Sequence, residues 1–187
     1  MLISVEGIDG AGKTTLVAAL ATALGATVLR EPGGVELSER IRALVQDPGL
    51  DIDPRAEALL FAAARAQLVA EKLQNTDELV ILDRFIDSSL AYQGGGRELG
   101  VADIQALNDF GTHGLRPDRT LYLKLDPHQA LARLDQHDRL EAAGLEFFAR
   151  VAAAYDALAA AEPDRFVILD ATQPPETVLA AALDALR

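Results

Sequence analysis

Short apolar runs alternate along the chain with longer stretches whose apolar residues recur at helical spacing. That alternation predicts strands joined by crossover helices, the pattern of a parallel sheet with helices packed on it. The runs near Leu2–Val5, Ala26–Leu29, Leu79–Leu82, Thr120–Leu125 and Phe166–Leu169 read as five strands. The first helix runs to about Leu24, where Gly25 suits the left-handed position beyond a helix end. Another opens at Asp53–Pro54, an N-cap followed by proline at the first helical position, and continues through Ala56–Leu73. The alanine-rich stretch Ala152–Ala161 also reads as helix. No linker, repeat or low-complexity tract interrupts residues 1–187, so one α/β domain is expected, with functional residues at the carboxyl ends of the strands.

Composition narrows the classes of partner. With 187 residues, 50% of them hydrophobic, the chain can bury a core of its own. Its 17 Lys and Arg against 29 Asp and Glu leave a net charge of −12, which opposes adhesion to nucleic acid or to an anionic membrane. A phosphate-bearing ligand must then be met by a few local basic residues. There is no cysteine, which excludes disulfides and thiolate metal sites. The start, Met1–Glu6, has no basic segment, and no run of about 18 uncharged apolar residues occurs. Neither export nor a membrane span is expected, and the expected location is the cytoplasm.

The densest chemical signal follows the first strand. Gly7-Ile8-Asp9-Gly10-Ala11-Gly12-Lys13-Thr14 spells G-x-x-x-x-G-K-T and is followed by Thr15 and a helical stretch. Strand, glycine-rich turn and helix are what a phosphate-cradling P-loop requires. Backbone N–H groups of such a turn point at phosphate oxygens, and the helix adds the positive end of its dipole. Residues Gly7 to Thr15 are therefore the expected ATP site, with Lys13 reaching the β- and γ-phosphates and Thr14 holding Mg²⁺. The fold class this implies is a P-loop NTPase, a five-stranded parallel sheet flanked by helices. A second signal, Val80-Ile81-Leu82-Asp83-Arg84, delivers an acid and an arginine at the end of an apolar run. Asp83 suits a place beside the metal and Arg84 a second phosphate; the same pair also reads as a surface ion pair closing a strand.

The run from Asp83 through Ser88, Ser89, Ala91, Tyr92, Gln93 and Gly94-Gly95-Gly96 to Arg97 closely resembles a stretch of bacterial thymidylate kinases. Arg30-Glu31-Pro32-Gly33-Gly34 resembles the loop after that family's second strand, and Ala56–Leu68 its nucleobase helix. Arg116-Pro117-Asp118, Asp138-Arg139-Leu140-Glu141 and Asp170-Ala171-Thr172 are similar to the lead into its fourth strand, its lid and its adenine-side loop. The resemblance spans nearly the whole chain. It implies an ATP-dependent dTMP kinase with Mg²⁺ as cofactor, acting as a homodimer. Phe61 and Arg65 lie four residues apart, on one face of a helix. The resemblance makes Phe61 the ring that stacks on thymine and Arg65 the donor to its O4; taken alone, the first reads as a core aromatic and the second as a solvated charge. It also assigns Arg42 and Arg84 to the acceptor phosphate, Asp9 to the acceptor sugar and the metal region, and Ser89 and Tyr92 to the nucleoside; Tyr92-Gln93 reads as a loop. Lys13, Asp9, Asp83, Arg84 and Arg139 form the expected catalytic set, with Thr14, Asp9 and Asp83 around the metal.

One departure from the family concerns Gly10, where eukaryotic-type members carry an arginine and members with glycine carry lid arginines instead. The short lid expected about 133–143 offers only Arg133 and Arg139. Of the two, Arg139 is the better candidate, because Arg133 also reads as a solvated charge on the helix after Pro127. Other apparent motifs carry little: Asp109-Phe110-Gly111 sits in a helical pattern with no kinase catalytic loop before it, and His113, His128 and His137 lack metal-ligand spacing. Two competing readings stay open on sequence grounds. One is a nucleoside monophosphate kinase for another base; the other is a nucleotide-responsive module with no acceptor site.

Overall fold

The computed structural model describes residues 1–74, 76–134 and 144–187. Strands β1 (Leu2–Glu6), β2 (Thr27–Arg30), β3 (Val80–Asp83), β4 (Arg119–Lys124) and β5 (Phe166–Asp170) form one parallel sheet in the order β2-β3-β1-β4-β5. The chain leaves β1 for the β2 edge, returns through β3, then crosses to β4 on the other side. Such a reversal opens a crevice at the carboxyl ends of the strands. Register decides what meets there: Val5 pairs with Asp83, and Arg30 pairs with the same Asp83 from the opposite side. Gly7, Glu31 and Arg84 therefore leave the sheet side by side.

The helices are α1 (Lys13–Leu24), α2 (Glu36–Gln46), α3 (Pro54–Leu68), α4 (Ile86–Ser89), α5 (Val101–Thr112), α6 (Pro127–Leu131), α7 (Leu145–Ala161) and α8 (Pro175–Ala185). They bury both faces of the sheet. Alternation along β3 shows how: Ile81 joins a cluster with Leu20, Leu121 and Phe148, whereas Val80 and Leu82 pack with Leu68, Phe85 and Ile86. The strand positions read from the apolar runs hold to within one or two residues, the usual uncertainty of element ends. The capping signals hold as well, since Asp53 Oδ1 accepts from Arg55 N at 2.8 Å and Gly25 adopts φ 64°.

Two expectations need correction. The helix through Leu73 is α-helical only to Leu68 and widens to a π-helical turn over Val69–Leu73. The segment around Tyr92 and Gln93, expected as a loop, continues α4 as a π-helical stretch, Leu90–Gly96. Its glycines serve packing. A Cβ on Gly95 would lie 2.5 Å from Ala154 Cβ, and one on Gly96 would lie 2.6 Å from the Phe147 ring, so α7 can approach only an unsubstituted backbone. That close approach fixes the inward faces of Tyr92 and Gln93, which line a cavity.

Candidate active site

The turn Gly7–Gly12 joins β1 to the N-terminus of α1, as the motif predicts. Lys13 is buried: its Nζ donates to Ile8 O at 2.8 Å and lies 3.8 Å from Asp9. Burial, reinforced by the nearby Arg84, pulls its ammonium down to about 8. Beside it, Thr14 Oγ1 donates to Asp83 Oδ2 at 2.9 Å. A hydroxyl and a carboxylate at the mouth of a phosphate cleft are hard oxygen donors. They fit Mg²⁺, which binds through one or two protein oxygens and keeps several waters. The third expected metal residue, Asp9, is engaged otherwise, because Arg84 donates to its Oδ1 and Tyr92 donates to its Oδ2 at 2.8 Å.

Arg84 is the hub of the crevice. It follows β3 in the left-handed region, with φ 72°, a conformation costly for a side-chain-bearing residue and held only by its surroundings. Its N–H is anchored on Val5 O at 3.1 Å. The guanidinium donates to Gly7 O and Ser88 Oγ, each at 3.1 Å, and to Asp9, and stands 5.0 Å from the centre of the Tyr92 ring. Burial works against ionisation of Asp9, but Arg84 and then Lys13 outweigh it and hold the carboxyl below its ordinary value.

Three adjoining hollows run along the carboxyl edge of the sheet. The first, of about 180 Å³, is lined by Phe61, Arg65, Ser89 and Tyr92 together with Asp9, Arg42 and Arg84, every residue expected at the acceptor. The second, of about 320 Å³, shares Asp9, Arg42 and Arg84 with the first and adds Gly10, Gly12, Lys13, Thr14, Thr15 and Asp83. The third, of about 360 Å³, shares Gly12 and Thr15 with the second and is walled by Leu16, Leu123, Ala171 and Val178, with Arg133 and Gln173 at its edge. A polar, cation-lined cleft thus lies between two flanking pockets.

The family model for thymidylate kinase matches residues 5–182. The chain belongs to the thymidylate kinase family. It is similar to the thymidylate kinase of Bifidobacterium longum (strain DJO10A), 49% identical over 194 residues that cover 97% of this chain and 94% of that one. It is also similar to that of Deinococcus radiodurans, 47% identical over 94% of this chain and 91% of the relative. Among solved structures, the thymidylate kinase of Ehrlichia chaffeensis superposes with a TM-score of 0.83 at 30% identity, covering 100% of this chain and 97% of its own. The family is one of ATP-dependent nucleoside monophosphate kinases.

Within this kinase frame, several side chains differ from their expected surroundings. Phe61 is partly buried: it packs on Ile41, Val45 and Ala64 and also lines the first hollow. Arg65 is only 2% exposed, not a solvated charge. Its guanidinium is directed at Glu31 (2.7 Å from Nε), Ser89 (2.8 Å), Asn108 and the Phe85 carbonyl (2.9 Å). Arg42 donates to Pro32 O at 3.0 Å. Arg133 donates to Gly10 O at 3.2 Å, so it is a P-loop contact rather than a free charge. Arg139 and the rest of the expected lid over 135–143 lie outside the described residues, as does His137. Asp109, of the apparent D-F-G, pairs with Arg116 and lines none of the three hollows.

Sequence reasoning missed Glu6, Glu31, Glu57 and Gln93. All are buried, and Glu31 and Gln93 line the first hollow. The available signal was a carboxylate closing an apolar run, as Glu6 closes Leu2–Glu6. Glu6 accepts from Phe85 N (2.7 Å), Ser88 Oγ (2.6 Å) and Tyr155 OH (2.9 Å), so it pins the strained turn carrying Arg84. Burial, with Asp87 adding to it, pushes its carboxyl up to about 7. The native state therefore disfavours ionised Glu6, and this group's contribution to stability is greatest below about pH 4.5 and is lost as pH rises through about 7. The advantage of wild type over Glu6→Gln should shrink by roughly 1.4 kcal/mol per pH unit across that window. Urea melts of both proteins between pH 5 and pH 8 check this; a constant difference would mean that Glu6 does not titrate there.

Proposed function

We propose that this kinase transfers the γ-phosphoryl group of MgATP to dTMP, giving ADP and dTDP for dTTP synthesis. The observation that carries the reading is the shared wall of the first two hollows, where Arg84, Arg42 and Asp9 face the acceptor on one side and Lys13, Thr14 and Asp83 on the other. A module that merely senses nucleotide needs no second phosphate site. The acceptor is a phosphate monoester with a second pKa of about 6, largely dianionic at neutral pH, so no strong base is required. Catalysis is then the holding of two mutually repelling phosphates in line, with positive charge placed where negative charge spreads. Lys13 serves the donor phosphates and Arg84 with Arg42 the acceptor phosphate, while Asp9 and Tyr92 fix the fork of Arg84. Thr14 and Asp83 would hold Mg²⁺, which supplies charge neutralisation on the donor phosphates when bound.

Phe61 offers its ring face to the base, and Arg65 with Ser89 forms the donor side toward O4. Because Ser89 Oγ accepts from Arg65, the hydroxyl proton remains available to a ligand acceptor. Cytosine presents an amino donor at that position, which leaves the site's donors opposed and costs a buried hydrogen bond. Transfer from MgATP to dTMP, dUMP, dCMP, dGMP and CMP, measured side by side, tests the assignment: dTMP should lead. Equal use of a purine acceptor would favour a kinase for another base, and absence of transfer to any acceptor would favour a sensor. The same reading carries a cytoplasmic location, with ATP as donor, and a homodimer. Exposed Ala102, Ala106 and Phe110 follow one another at helical spacing on α5, which packs on α3, itself carrying exposed Leu59 and Ala63. Sedimentation should give a dimer for wild type and a shift toward monomer for Phe110→Glu; identical profiles would place the interface elsewhere.

The lid arginines supply the remaining charge in this scheme. A Cβ at Gly10 would sit 2.6 Å from the Ala130 carbonyl, and φ there is 81°, so the P-loop admits no arginine at this position. Arg133 donates to the Gly10 carbonyl, and Arg139 follows it in the sequence. Arg139→Ala should lower kcat by ~10²-fold with a smaller change in dTMP KM, below the full arginine-finger range because Lys13 and the metal remain. Arg133→Ala, measured beside it, should cost less. If both keep wild-type kcat, the lid is not the source of the charge.

A further inference from the structure

Gln93 and Glu57 form a buried pair behind the acceptor pocket. Gln93 is 2% exposed and lines the pocket, and its Nε2 donates to Glu57 Oε1 at 2.8 Å. A carboxylate only accepts, so the end of the carboxamide turned to Glu57 has to be the nitrogen. The oxygen end is thereby turned away from Glu57, and no described residue donates to it. Glu57 is itself held: it is fully buried, and Arg97 donates to its Oε2 at 3.0 Å and approaches Oε1 at 3.3 Å. Arg97 in turn lies 4.8 Å from the centre of the Phe147 ring on α7. The carboxylate can neither rotate away nor be replaced by water without leaving Arg97 unpaired.

We propose that Glu57 is a positioning residue for base choice, locking the Gln93 carboxamide so that it offers the pocket an acceptor and no donor. This rests on the reading of the pocket as a pyrimidine monophosphate site. Thymine and uracil carry an N–H between their two ring carbonyls, which satisfies that acceptor. Cytosine carries a bare nitrogen there, which opposes it. Free to flip, Gln93 would meet either base equally well, and the pocket would lose part of its discrimination.

The test is Glu57→Gln, whose carboxamide can donate as well as accept and so releases Gln93 to flip. The ratio of kcat/KM for dTMP to that for dCMP should fall at least tenfold, because dCMP gains relative to dTMP. That ratio does not depend on the fraction of protein folded. Gln93→Leu should lower the ratio as well, and the double variant should lower it no further than Gln93→Leu alone, the coupling expected when one residue acts through another. Wild-type protein gives a measurement that needs no variant: the Gln93 side-chain NH₂, sealed against Glu57, should exchange slowly with solvent with and without dTMP. A Glu57→Gln enzyme that loses activity on all pyrimidine monophosphates in equal proportion would overturn the proposal, as would rapid NH₂ exchange. Failure of wild type to prefer dTMP over dCMP would instead strike the functional reading beneath it.

Discussion

Lys13→Ala should lower kcat by three orders of magnitude or more while leaving thermal stability unchanged or slightly raised. The catalytic loss follows from its place: an ammonium sealed between Ile8 O and Asp9 at the head of α1 is the charge nearest the expected donor phosphates. Removal of one preorganised group that stabilises developing charge costs about 10²–10³ in kcat in a water-poor site, and the P-loop lysine carries a full charge. The stability argument runs the other way. Burial and Arg84 disfavour the ammonium, so the fold alone gains little from it, and Asp9 keeps Arg84 as partner when it is gone. A coupled ADP-release assay beside thermal melts checks both halves. Turnover within tenfold of wild type would remove Lys13 from the chemistry, and a large drop in melting temperature would make it a structural ion-pair partner.

How much of this site was legible depended on the distance over which each partner acts. The P-loop and Asp83-Arg84 were readable because each motif is local, and apolar runs announced the strands that end in them. Their meeting was not local: it follows from Val5 and Arg30 both pairing with Asp83, a register that no single segment encodes. Arg65 shows the same limit. A lone arginine on a helix reads as solvated, and only Glu31, 34 positions away, together with Asn108 and Ser89, makes its burial affordable in hydrogen bonds.

The loop expected at Tyr92-Gln93 failed for a different reason, the glycine run of residues 94–96 that follows it. Consecutive glycines ordinarily mark turns because they tolerate any backbone angle. Here they continue a helix and are present for what they lack, since α7 occupies the space their side chains would fill. The consequence reaches the site: α7 also carries Tyr155, whose hydroxyl bonds Glu6, and Glu6 pins the turn that bears Arg84. One missing Cβ after another thus lets a distant helix brace the side of the crevice that carries Arg84.

Arg84→Ala should depress kcat/KM for dTMP by about 10³-fold, with kcat falling and KM rising together, because in the proposed mechanism one side chain both binds the acceptor phosphate and keeps it in line. The structure sets this apart from the reading of Asp83-Arg84 as a surface ion pair, whose loss would cost at most about 1 kcal/mol of stability. Arg84 is largely buried, adopts a strained φ of 72°, and reaches four groups of the crevice: Gly7 O, Ser88, Asp9 and Tyr92. Strain held at such a point is a hypothesis of function that kinetics can weigh. Alanine also leaves Asp9 ionised beside Lys13 alone, so a negative charge now faces the incoming dianion and opposes it. Arg84→Ala/Asp9→Asn should therefore recover part of the lost dTMP affinity without restoring kcat. Steady-state kinetics of the single and double variants decide it: wild-type dTMP kinetics in Arg84→Ala, with stability alone reduced, would return the pair to a structural role, and a double variant no better than the single would show that the repulsion from Asp9 is not felt by the substrate.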